Sequence, residues 1–87
     1  MELNVVALIQ QAQAETEDLL KQKNLTVILD APENGIVQAL DGDKTYRIFE
    51  NLFTNIAKYA LPGTRVYVSA TAQPDYTEIT FNNISEA

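Results

Sequence analysis

The 87-residue sequence contains neither cysteine nor histidine. Without cysteine there is no disulfide framework and no thiolate metal site, and nothing marks a redox compartment. Without histidine the commonest general base, the commonest metal ligand and a phosphoaccepting imidazole are all excluded, so any chemistry must rest on carboxylates, amides, lysines or tyrosines. Cations are scarce as well: six Lys and Arg against twelve Asp and Glu give a formal net charge of −6. That balance excludes nonspecific nucleic-acid binding, which needs a basic surface to displace counterions from phosphates. Long apolar runs are missing too. The longest near the N-terminus, Val5 to Ile9, falls far short of a membrane span, and no basic segment precedes it.

What is present is ordinary globular composition, 46% hydrophobic and 21% charged, in a length that allows one domain or less and one small core. From Leu3 to Lys23 apolar residues recur at Val5, Leu8, Ile9, Ala12, Leu19 and Leu20, with Thr16 filling the gap. This spacing predicts an amphipathic helix. Asn24 is its expected stop, and the β-branched run Thr26 to Leu29 is an expected strand. Proline, asparagine and glycine between Asp30 and Gly35 turn the chain into a second short strand, Ile36 to Leu40. Asp41-Gly42-Asp43 breaks that strand and supplies two candidate caps for a central helix, Lys44 to Leu61, which Pro62-Gly63 terminates. Alternation then predicts strands at Arg65 to Thr71, with Val66, Val68 and Ala70 on one face, and at Tyr76 to Phe81. Gln73-Pro74-Asp75 joins them as a hairpin turn. The expected fold class is α+β, a two-layer α/β sandwich in the order α-β-β-α-β-β with both helices on one face of a mixed or antiparallel sheet.

The central helix divides its residues by chemistry. Tyr46, Phe49, Leu52, Phe53, Ile56 and Ala60 fall within an arc of roughly 120°, the width of a core-facing stripe. Lys44, Arg47, Asn51, Asn55 and Lys58 share an opposite arc of roughly 80°. A solvated helix back is the plain reading of such a stripe, but two details argue for more. Asparagine costs about 0.6 kcal/mol relative to alanine in a helix, so two stacked amides answer some other demand. The stripe is also basic within an acidic chain. Amide oxygens that can ligate Mg²⁺, beside lysines that can meet phosphate oxygens, suit an anion carrying a metal ion.

The segment Asp41-Gly-Asp-Lys-Thr-Tyr-Arg-Ile-Phe-Glu-Asn-Leu-Phe-Thr-Asn-Ile-Ala-Lys-Tyr-Ala60 resembles the asparagine box of sensor histidine kinases, including the acidic residue ten positions before the first box asparagine. Pro62-Gly63-Thr64-Arg65-Val66 continues the resemblance, which is most specific over residues 41–70 and covers nearly the whole chain, including the closing Ile79-Thr-Phe-Asn-Asn-Ile-Ser85. It implies a partial domain over residues 1–87, the N-terminal portion of a histidine kinase-like ATP-binding sandwich of the superfamily shared with gyrase. The phosphoacceptor domain, lid and glycine-rich boxes are lacking. By position, Asn55 would ligate Mg²⁺ and Asn51, the catalytic candidate one turn earlier, would face the γ-phosphate and position water or metal. Lys58 would contact phosphate, and Tyr59 would border the nucleotide near adenine or ribose. Gyrase-like relatives have a water-activating glutamate where Asn51 stands, so the amide suits transfer to a histidine better than hydrolysis. Asn83 occupies the position of the family's adenine-binding aspartate, and Ser85 that of a glycine. Asparagine could accept from the adenine amino group only through its oxygen and without charge. Glu50, about 100° around the helix from Asn51, reads as solvated; Tyr46 reads as a core aromatic with a polar rim, and Asp41 and Asp43 as caps rather than metal ligands.

The resemblance further implies a parent that transfers the γ-phosphoryl of Mg·ATP to a histidine on a separate helical domain, with a response regulator as indirect partner. Its place would be the cytoplasmic side of a membrane-anchored bacterial sensor. The 87 residues by themselves are expected to be inactive, to hold no nucleotide, and to self-associate through a sheet edge left uncovered. The alternative is a non-catalytic interaction module with the same fold.

Overall fold

The computed structural model describes residues 2–84. In chain order it contains β1 (Glu2–Asn4), α1 (Val5–Glu15), α2 (Glu17–Gln22), β2 (Thr26–Asp30), β3 (Val37–Ala39), α3 (Gly42–Tyr59), β4 (Arg65–Ala72) and β5 (Thr77–Asn82). Asn4 turns the first strand into a helix: its side-chain oxygen accepts from the N–H groups of Val6 and Ala7, an N-cap, and from that of Ile36 at 3.2 Å. Gly35 leaves the room this needs. Its φ is +76°, and a Cβ there would overlap the Asn4 amide.

The single helix expected from Leu3 to Lys23 is therefore corrected at both its start and its middle. Thr16 is buried at 5% exposure and its hydroxyl donates to the Ala12 carbonyl at 2.8 Å. Such back-bonding competes with the helical ladder and bends it, and here α1 stops and α2 begins. Asn24 ends α2 as the sequence predicts, at φ 55°. Leu25 N–H reaches the Leu20 carbonyl at 3.0 Å and Asn24 N–H that of Lys21 at 2.9 Å, which is the Schellman closure. Leu20 and Leu25, the apolar pair of that motif, are both buried.

The expected single sheet is two. β3 pairs antiparallel with β1, while the main sheet has the order β2-β4-β5, parallel then antiparallel. The order is thus β-α-α-β-β-α-β-β rather than α-β-β-α-β-β. All three residues of β3 are exposed, so it has no apolar face to draw it onto the main sheet, and the Asn4 bond to Ile36 keeps it beside β1. Central strand β4 buries Val66, Val68 and Ala70 as its alternation requires. These meet Val5, Ile9 and Ala12 of α1 and Phe49, Phe53 and Ile56 of α3 in one core, so two layers form a sandwich. Phe81 of β5 meets the α3 rings, edge-on to Phe53 at 5.3 Å and stacked on Phe49 at 6.2 Å. No helix among the described residues is long and apolar enough to cross a membrane.

Candidate functional site

Helix α3 is fixed at both ends. Asp41 is its N-cap, accepting from the Lys44 N–H at 3.1 Å, while Asp43 sits in the first turn. A carboxylate there favours the helix dipole without capping. At the other end Lys23 Nζ donates to the carbonyls of Lys58 at 2.7 Å and Ala60 at 3.1 Å, satisfying last-turn acceptors that the helix leaves open. The Lys23 carbonyl accepts from Gly63 N–H at 2.8 Å. Held in this way, α3 buries Phe49, Phe53, Ile56 and Ala57 and turns Lys44, Arg47, Asn51, Asn55 and Lys58 to solvent. The basic, amide-bearing stripe read from the sequence is one exposed surface.

The structure divides that stripe between two depressions. Asn55 and Tyr59 line a cleft of about 250 Å³ between α3 and β5, with Leu52, Ile56 and Phe81 as apolar walls and Asn83 across from the helix. Tyr59 is 63% exposed, so its ring stands free at the cleft mouth. Asn51 lines a separate depression of about 430 Å³ with Asp43, Tyr46, Arg47 and Glu50. Lys58 lines neither, although its backbone is anchored by Lys23. Glu50 departs from the solvated reading: it is half-buried, its carboxylate 3.5 Å from the Tyr46 hydroxyl. Tyr46 packs against the core and also donates to Glu15, an aromatic body with a satisfied polar tip. Among the described residues no group of three or more His, Cys, Asp or Glu is placed to hold a metal. Ser85 lies outside the described residues.

A third depression, about 480 Å³, lies between α1, α2 and β2 and is lined in part by Gln10, Gln13, Glu17 and Lys21. Glu17, bonded to Lys21 at 3.0 Å, holds that ammonium above the usual lysine range. The pair is an exposed helical i, i+4 contact and converges on nothing. Sequence reasoning missed Lys23, because a cation at a helix C-terminus already explains itself through its own helix dipole. It also missed Leu52 and Phe81 as cleft walls. Their apolar character signals only burial, and contact between two distant segments has no local signature.

Neither family models nor curated protein sequences give a match to this chain. Solved structures do. The histidine kinase AdeS of Acinetobacter baumannii superposes with a TM-score of 0.86 at 16% identity, covering 100% of this chain and 43% of that one. The catalytic domain of histidine kinase ThkA gives 0.86 at 12% identity, covering 93% and 56% respectively. The mycobacterial sensor histidine kinase MprB gives 0.80 at 17% identity, covering 98% and 55%. The chain spans about half the length of these structures. It has the α+β fold, with mixed sheets, of the histidine kinase catalytic domain.

Proposed function

We propose that this chain carries the magnesium-nucleotide face of the ATP-binding domain of a bacterial sensor histidine kinase. The observation that carries the reading is the cleft between α3 and β5, which Asn55 and Tyr59 line together with Asn83, the residue that follows β5. In this reading Asn55 would supply the protein oxygen to Mg²⁺, an ion that ordinarily needs few protein ligands beside phosphate oxygens and water. The donor set fits that demand: an exposed amide oxygen on a rigid helix, with Arg47 and Lys58 on the same stripe and no competing acidic cluster among the described residues. Mg·ATP, when bound, supplies the transferable γ-phosphoryl group.

Lys58 meets phosphate as a point charge, and Tyr59 offers its exposed ring to adenine or ribose. Asn51, in the neighbouring depression, orients water or metal on the γ-phosphate side. As an amide it cannot take a proton from water, so the site favours transfer to a histidine over hydrolysis. The acceptor histidine belongs to a separate helical domain, and a response regulator follows it in the transfer. Replacing Asn55 by Ala in the parent kinase should abolish Mg·ATP-dependent autophosphorylation without lowering the thermal melting point, because the side chain is exposed and outside the core and alanine is the better helix former. Retained autophosphorylation would remove Asn55 from the metal site.

A further inference from the structure

Six of the seven asparagines precede a valine, leucine, isoleucine or asparagine; Asn34, between β2 and β3, alone precedes a glycine, Gly35. The difference is chemical, because the main-chain nitrogen after an asparagine can attack that residue's own side-chain amide. A side chain on the following residue obstructs the approach, and glycine has none. Local structure restrains the other asparagines further. Asn51 and Asn55 lie inside α3, where the next nitrogen belongs to the helical ladder. The Asn4 oxygen accepts from Val6, Ala7 and Ile36, and the nitrogen after Asn24 is bonded to the Leu20 carbonyl.

Asn34 is exposed, in a turn closed by Gly35 N–H, which donates to the Pro32 carbonyl at 3.0 Å. Its side chain makes no hydrogen bond among the described residues. A single main-chain bond therefore holds the attacking nitrogen, and exposed turns of this kind are the segments that open first.

We propose that Asn34 is a self-modification site, an amide that converts to isoaspartate with time and loosens the N-terminus of α1 when it does. The Gly35 nitrogen bonds to the Asn34 side-chain carbonyl carbon and gives up its proton. The side-chain carbon–nitrogen bond breaks, ammonia leaves with that proton, and a cyclic imide remains. Water then opens the imide. Cleavage at the side-chain carbonyl gives aspartate, and cleavage at the main-chain carbonyl gives isoaspartate, whose main chain runs through the former side chain and gains one carbon.

The segment that follows has no slack for that carbon. Gly35, at φ +76°, lies so close to the Asn4 amide that a Cβ would overlap it. Ile36, which is buried, donates its N–H to the Asn4 oxygen at 3.2 Å and accepts from Val5 N–H at 2.8 Å. A displaced Gly35 moves both Ile36 bonds against Asn4, so the cap of α1 and the β1–β3 pairing weaken together.

Incubation of the whole chain in mildly alkaline buffer at physiological temperature tests this, followed by peptide mapping with electron-transfer fragmentation. A free peptide of residues 30–38 is the unfolded reference. Asn34 is expected to convert before any other asparagine, with isoaspartate exceeding aspartate, and Asn34→Gln, whose longer side chain closes the ring far more slowly, blocks conversion there. The isolated isoaspartyl form should melt at a lower temperature than the unmodified chain and exchange the Val6, Ala7 and Ile36 amide protons faster. Asn34→Asp carries the same added charge on an ordinary main chain and should keep the unmodified values. Asn34 that remains an amide when the peptide has converted, or that converts no earlier than the other asparagines, overturns the site. An isoaspartyl form with unaltered melting and exchange overturns its link to α1.

Discussion

Phe53 is the residue on which the packing of α3 against the sheet depends most, and its truncation measures that packing directly. Its side chain is 0% exposed and lies edge-on to Phe81 at 5.3 Å, with an interplanar angle of 73°. Burying a phenylalanine side chain is worth about 1.5–3 kcal/mol, and an edge-to-face aromatic pair adds about 0.5–1.5 kcal/mol. Phe53 belongs to the same core as Phe49, Val66 and Val68, each 4% exposed or less, so little relaxation is available to fill the space that Phe53→Ala leaves. A loss of about 3–5 kcal/mol follows, the range of buried phenylalanine truncations. A chain of this size has about 4–13 kcal/mol in total. The variant should therefore lose about a quarter of its stability or more, and its urea midpoint should fall by the same fraction. Ile48→Ala on the same helix is the control: it removes similar apolar volume from a residue 58% exposed and should change stability by about 0.5 kcal/mol or less in dilute solution. A loss below 1 kcal/mol at Phe53, or equal losses at the two positions, would refute the placement of the core face.

Ile56→Ala, also buried in the α3 face, should cost about 2–5 kcal/mol by the same urea assay. Lys23→Met removes the two hydrogen bonds to the Lys58 and Ala60 carbonyls and should cost about 1–2 kcal/mol, with amide exchange quickening first in residues 58–61. Gly35→Ala and Gly63→Ala share a positive φ, but only Gly35 faces the Asn4 amide; the strain common to both is about 1–2 kcal/mol, and a larger loss at Gly35 in thermal melts isolates the clash. Isothermal titration of the 87-residue chain with Mg·ATP should show no binding in the micromolar range, because Asn55, Lys58 and Tyr59 are exposed and surface charge contacts are worth about 0–1 kcal/mol each.

The elements whose signals are local were legible in the sequence. The alternation from Arg65 to Thr71 gave the buried set Val66, Val68 and Ala70, and Asn24 and Asp41 stand at the helix boundaries that their side-chain chemistry suggests. The departures share one cause, which is that a partner distant in sequence decided the outcome. Leu3 and Asn4 continue the helical pattern, yet Asn4 is claimed by Ile36 across 32 residues. Thr16 fits the apolar face by spacing, and it is indeed buried, but its hydroxyl then needs an acceptor and shares the Ala12 carbonyl with the Thr16 N–H. Periodicity reports which side a residue faces and is silent on the hydrogen bonds that burial forces upon it.

The same division runs through the site. That Lys44, Arg47, Asn51, Asn55 and Lys58 share one exposed stripe follows from the helical repeat alone, and the structure has them so. What the repeat cannot state is where the stripe meets a wall. Phe81 reaches across to Phe49 and Phe53, and in doing so it draws β5 against the 52–59 flank of α3. Asn55 and Tyr59 consequently sit in a cleft, whereas Asn51 one turn earlier shares its depression with Glu50 and Arg47. Two amides that are equivalent by spacing thus acquire different surroundings: one faces apolar walls and Asn83, the other a half-buried carboxylate beside a guanidinium. The difference is set by an aromatic contact in the core, so core packing here also sorts the surface residues into distinct chemical environments.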